Sequence, residues 1–190
     1  MSLKNLKTLV IHPEDLSTEF LNPIYTRIPN KTILRHYTSA QQIKTAIDLH
    51  DRVIMLGHGD PQGLFNMDSN TKSFNNMFIN SRMVESLQRK KDNIYIWCYA
   101  GSFVERHQLP GFATGMFISE PIELLVMNNP PQHDYEELIT ESNRQFSAIM
   151  SKYIFEETPT LYPKVKEEYG AIASINSIAA YNCEKLTYSL

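Results

Sequence analysis

A chain of 190 residues, 42% hydrophobic and 21% charged, is long enough to bury a sizeable core in one domain without disulfides or metals. A net charge of −3 without any Lys/Arg stripe argues against a nucleic-acid partner, the densest basic run, "QRKKD" at 88–92, reading as a solvated helix end. No apolar run approaches the ~20 residues of a membrane span, and two cysteines, Cys98 and Cys183, form neither a disulfide framework nor a zinc pattern.

The N-terminal "MSLKNLKTLVIHP" lacks a long apolar region and a small-residue cleavage site. It reads as a first strand rather than a signal peptide, and a reducing, cytoplasmic location is expected. Further strands are predicted at "KTILRHY" (31–37), "RVIML" (52–56), "NIYIWC" (93–98) and "ATGMFIS" (113–119). Those at 52–56 and 94–97 are apolar on both faces, which suits adjacent central strands of a parallel sheet. Between them, "LSTEFLNPIYTR" is expected to make a short or kinked helix at Pro23. "SAQQIKTAIDLH" opens at the cap candidate Ser39 and lines up Ile43, Ala46, Ile47 and His50. "NSRMVESLQRKK" groups Met83, Val84 and Leu87, and "SFVERHQL" stops before Pro110.

The last third reads as helical. A turn, "NNPPQHD" at 128–134, leads into a long helix with cap candidate Asp134 and core positions Leu138, Phe146, Ile149 and Ile154. "TPTLYP" at 158–163 is expected to break the chain. After it, Ile172, Ile175, Ala179, Cys183 and Leu186 fall on one stripe, which makes Cys183 a core residue. The β-α-β alternation predicts a three-layer α/β/α sandwich with a mainly parallel sheet, one domain over 1–190 with a helical extension from about 130.

Two strands end in reactive side chains. "RVIMLGHG" runs into His58 between two glycines, and "NIYIWCYAG" runs into Cys98. Ligand crevices in open parallel sheets lie beyond the strands' C-terminal ends, where both residues fall. A cysteine needs a base or a positive setting to be thiolate near neutral pH, and a histidine can take that proton and return one to a leaving group. Glycine at 57 and 59 lets the backbone approach a substrate, and the backbone N–H groups of Gly59 and Cys98 are candidate oxyanion donors.

The pair "VIMLGHG" and "IYIWCYAG" resembles the caspase-like cysteine peptidases, a group that includes caspases, legumains, gingipains, clostripain and separase. The likeness covers roughly residues 6–125, as a pattern of elements, with His58 preceding Cys98 by 40 residues where caspases have about 50. It implies Cys98 as nucleophile, His58 as base, Gly59 as a backbone oxyanion donor, an acyl-enzyme, and a peptide or protein substrate. Caspases carry Gln-Ala-Cys, whereas Trp97 precedes Cys98 here, and the chain is short for the group. Glu120, beyond the 113–119 strand, is a candidate for lining a pocket for a basic side chain.

Rival readings stay open. A flavodoxin- or TIR-like ligand-binding domain would use Asp15, Ser17 and Thr18 in the first β-α loop, and a noncatalytic interaction protein could keep the same fold. No cofactor or metal is expected. His12, His36 and His50 are too scattered, and "GHGDPQG" lacks the G-x-G-x-x-G spacing.

Overall fold

The computed structural model describes residues 3–68 and 73–190. Met1 and Ser2, which open the segment read above as lacking a leader, lie outside the described residues. After a 3-10 turn (Leu3–Asn5) comes strand β1 (Thr8–Ile11), whose four residues are all buried. The next segment divides at Pro23, as expected, into a 3-10 turn (Leu16–Leu21) and a short helix α1 (Asn22–Thr26). Strand β2 (Lys31–Leu34) and helix α2 (Ala40–Leu49) follow. The α2 cap is Ser39, which accepts from the Gln42 N–H, and Ile43 and Ile47 are fully buried.

Strand β3 (Arg52–Leu56) leads into a small antiparallel sheet of β4 (Gly59–Asp60), β5 (Gly63–Asp68) and β6 (Ser73–Ile79). Helix α3 (Val84–Gln88), strand β7 (Ile94–Ile96), helix α4 (Ala100–Arg106) and strand β8 (Gly111–Thr114) complete the parallel part. Helices α5 (Tyr135–Tyr153), α6 (Thr158–Ile172) and α7 (Ser177–Glu184) precede a last strand, β9 (Leu186–Ser189).

The main sheet has the order β2-β1-β3-β7-β8-β9, parallel throughout except for β9, which runs antiparallel to β8. Alternation along the strands divides the core. Val10, Ile54, Leu56, Ile94, Ile96 and Phe112 face α1, α5, α6 and α7. Leu9, Ile11, Val53, Met55, Tyr95 and Ala113 face α2, α3, α4 and the small sheet. Strands covered on both faces need no polar alternation, which is why 52–56 and 94–97 are continuously apolar.

Four expectations are corrected. The strand expected at 113–119 lies at Gly111–Thr114, and 115–119 leave the sheet. The 80–91 stretch makes a 3-10 turn and the five-residue α3 rather than one long helix. "TPTLYP" opens helix α6 with Pro163 inside it. The stripe from Ile172 to Leu186 is cut between α6 and α7, leaving Ile175 exposed. Cys183 remains buried at 7% exposure, as expected of a core residue. Among the described residues, no helix is long and apolar enough to cross a membrane.

Candidate functional site

The register of β3 against β7 sets the site. Ile54 pairs with Ile94, Met55 with Tyr95 and Leu56 with Ile96, and the Gly57 N–H continues the ladder to the Ile96 carbonyl at 3.0 Å. The offset of 40 in each pair equals the separation of His58 from Cys98, so each residue stands two positions beyond the Leu56–Ile96 pair. Both line one small cavity of about 20 Å³, together with Thr18, Phe117 and Ser119. A larger hollow of about 540 Å³ lies between α4 and β9, beside Glu105 and Tyr188, and shares no lining residue with it. The smaller one is the cavity that both Cys98 and His58 line.

Gly57, at φ +144, turns the chain sharply out of β3 in a conformation that side-chain-bearing residues rarely adopt. Gly59 serves a different need. A Cβ there would lie 2.3 Å from Trp97 Cδ1 and 2.4 Å from the Gly63 carbonyl oxygen, so the indole lies directly on the Gly59 backbone. Trp97 is locked in place by its Nε1–H, which donates to the Asp60 carbonyl at 3.1 Å. The bulky residue before Cys98 thus fills the space that the glycine after His58 leaves open. Phe65 N–H donates to the His58 carbonyl at 2.8 Å, next to the Gly59–Leu64 pair. In an antiparallel ladder that bond directs the Gly59 N–H away from β5.

His58 is surrounded by oxygens. Its Nε2 lies 2.7 Å from Ser17 Oγ, 3.3 Å from Asp15 Oδ2 and 3.7 Å from Glu120 Oε2. Ser17 Oγ donates its one proton to Asp15 Oδ1 at 3.0 Å, and carboxylates only accept. With the Ser17 proton so placed, the arrangement calls for the tautomer with hydrogen on Nε2, which leaves Nδ1 without one. The Phe74 ring closes edge-on, 5.5 Å between centroids. Asp15 caps the Leu16–Leu21 turn through the Ser17 N–H. That turn is tied inward by His12, which bridges Thr18 Oγ1 at 3.1 Å and the Tyr25 hydroxyl at 3.0 Å. Burial, and secondarily Arg35, push the His12 pKa down to about 4.

Cys98 stands before Tyr99, a non-glycine residue at φ +65 that caps α4. The thiol has two acceptors within reach of its one proton, Glu123 Oε1 at 3.4 Å and the Phe117 carbonyl at 3.5 Å. Burial, reinforced by the Glu123 carboxylate, pushes the thiol up to about 12, so in this arrangement it is protonated. Among the described residues no hydrogen bond joins Cys98 to His58.

Glu120 and Glu123 come from one segment, a 3-10 turn at Pro121–Val126. Glu123 Oε2 accepts from the Ser119 N–H at 2.6 Å, Ser119 Oγ at 3.1 Å and the Glu120 N–H at 2.9 Å. Burial pushes the Glu120 carboxyl up, opposed by His58 and reinforced by Glu123 and Asp15. His58, Glu120 and Glu123 each offer an atom within 4.8 Å of the others, a spacing a small cation would accept. Here Ser17 already engages the imidazole, and Cys98, Ser119 and the Glu120 N–H engage Glu123.

Cys98 and His58 thus line one strand-end cavity and Glu120 reaches His58, whereas Gly59 lies in β4 against Trp97 and the Gly63 carbonyl. The rival pair Asp15 and Ser17 joins the same crevice, as partners of His58, while Thr18 is spent on His12 and the Asp15 carbonyl. His36 is exposed beside Glu14, and His50 bonds the Ala46 carbonyl and Thr32. Glu123 is the residue that sequence reasoning missed. Its signal is the "SEPIE" run at 119–123, in which proline follows Glu120 and a second glutamate lies three residues after it, as at a helical start. Comparison with known proteins finds no matching family model, no matching curated protein and no matching solved structure.

Proposed function

We propose that the chain is a cysteine-dependent amide hydrolase acting on peptides or proteins, with the Cys98–His58 pair of a caspase-like peptidase. The observation that carries the reading is the shared register. Two adjacent parallel strands deliver a base and a thiol to equivalent positions beyond their ends, lining one cavity. His58 Nδ1 takes the Cys98 proton, and the thiolate attacks the scissile carbonyl to form the C–S bond. The N–H groups of Gly59 and Cys98 hold the oxyanion. Nδ1–H then protonates the departing amine as the C–N bond breaks. A water that gives its proton to Nδ1 hydrolyses the thioester, and the sulfur recovers that proton on leaving. Asp15 and Ser17 act as positioning residues, fixing the Nε2–H tautomer and stabilising the imidazolium.

The test is cleavage of a peptide library at neutral pH with reductant. Cys98→Ala and His58→Ala should each remove most of the rate in protein that still folds, because the two groups act as a unit. Cleavage that survives Cys98→Ala refutes the mechanism.

A further inference from the structure

We propose that the Pro121–Val126 turn is an autoinhibitory latch, which holds Glu123 against Cys98 and must swing off the thiol before the Cys98–His58 pair can act. The proposal rests on the hydrolase reading but concerns a different segment of the chain.

The base of the arm is pinned. Asn182, fully buried, brackets Ile118 from both sides, accepting from its N–H at 2.7 Å and donating to its carbonyl at 2.9 Å. Asn143 donates to the Ser119 carbonyl at 2.9 Å. Beyond Ser119 the hold weakens. The turn contains no buried residue, and Ile122 and Leu125 are 70% and 83% exposed. Leu124 and Met127 rest partly buried on Ile118, Ile139 and Ile178. Two of Glu123's four hydrogen bonds go to the pinned Ser119 and one to the Glu120 N–H within the arm. Opening breaks the Cys98–Glu123 and Ser119–Glu123 bonds, the Glu120–His58 ion pair and the shallow contact of Leu124 and Met127. Segments with so few buried contacts open far below the free energy of global unfolding.

Closed, the arm opposes the chemistry at the sulfur, because a carboxylate held on the thiol disfavours the thiolate. Swinging about the fixed Ile118–Ser119 base would relieve this and leave the β3–β7 platform untouched.

The experiment is iodoacetamide labelling of the full chain at pH 7.5, read site by site by peptide mass mapping with Cys183 as internal reference. Glu123→Ala should raise the Cys98 rate by roughly tenfold or more, the equivalent of about one pKa unit, with Cys183 unchanged. A rate within twofold of the wild type overturns the latch. In the wild type alone, Cys98 labelling should be nearly independent of urea below the unfolding transition, because opening exposes little surface. Labelling that rises with the same urea dependence as global unfolding overturns it equally, whatever the fate of the variant. Adding His58→Ala to Glu123→Ala separates the two proposals. Fast labelling that disappears supports latch and pair together, whereas fast labelling that persists supports the latch and removes the pair.

Discussion

Acid should loosen the scaffold of the site through His12. This imidazole is 1% exposed, and its pKa is lowered from 6.5 to about 4. Between those values the unfolded chain binds a proton that the folded chain refuses, so stability falls as pH drops through the window and is unaffected above it. At about 1.36 kcal/mol per pH unit, the window from 6.5 down to about 4 sets a limit of about 3 kcal/mol, most of it already lost at pH 4.5. The assay is urea unfolding at pH 7.5 and 4.5 for the wild type and His12→Gln. The variant loses the bridge to Thr18 and Tyr25 and is weaker at both pH values, but its decline with acid should be roughly 2–3 kcal/mol shallower. Every other titrating group is shared by the two proteins, so the difference in slope isolates His12. Equal declines would mean that His12 accepts its proton in the folded state at an ordinary pH, and the reasoning from burial would fail.

Two further substitutions probe the frame. Gly59→Ala drives a methyl into Trp97 and the Gly63 carbonyl and should cost roughly 2–3 kcal/mol. The fluorescence of the sole tryptophan should shift with it, and an unchanged Tm and spectrum would refute the packing described. Asn182→Ala strands a buried N–H and C=O of Ile118 and should cost about 2–4 kcal/mol in urea unfolding, a loss under 1 kcal/mol contradicting the bracket.

The parallel strands were legible because burial on both faces writes an unbroken apolar run, and the separation of 40 between His58 and Cys98 already contained the register offset. The small sheet was not legible. Its strand β6, "SFNNMFI", mixes asparagines with apolar residues and has a shifted register against β5. Strand β9 is four residues long and only Leu186 is buried, so its pairing with β8 is a tertiary fact rather than a local preference. At the site, Cys98 and His58 announced themselves by position. Glu123 did not, because its effect on the thiol depends on how a loop folds back across the strand ends.

Strand β9 also has a kinetic consequence. Thr187 Oγ1 donates to the Ala113 carbonyl from 74 positions away, across three helices. Until that long loop closes, β8 is an open edge next to the strand that leads into Cys98. Such distant pairing slows folding and leaves sticky backbone exposed during it. The half of the sheet that carries Cys98 is therefore where refolding should lag, and where chains caught part-way should pair with one another.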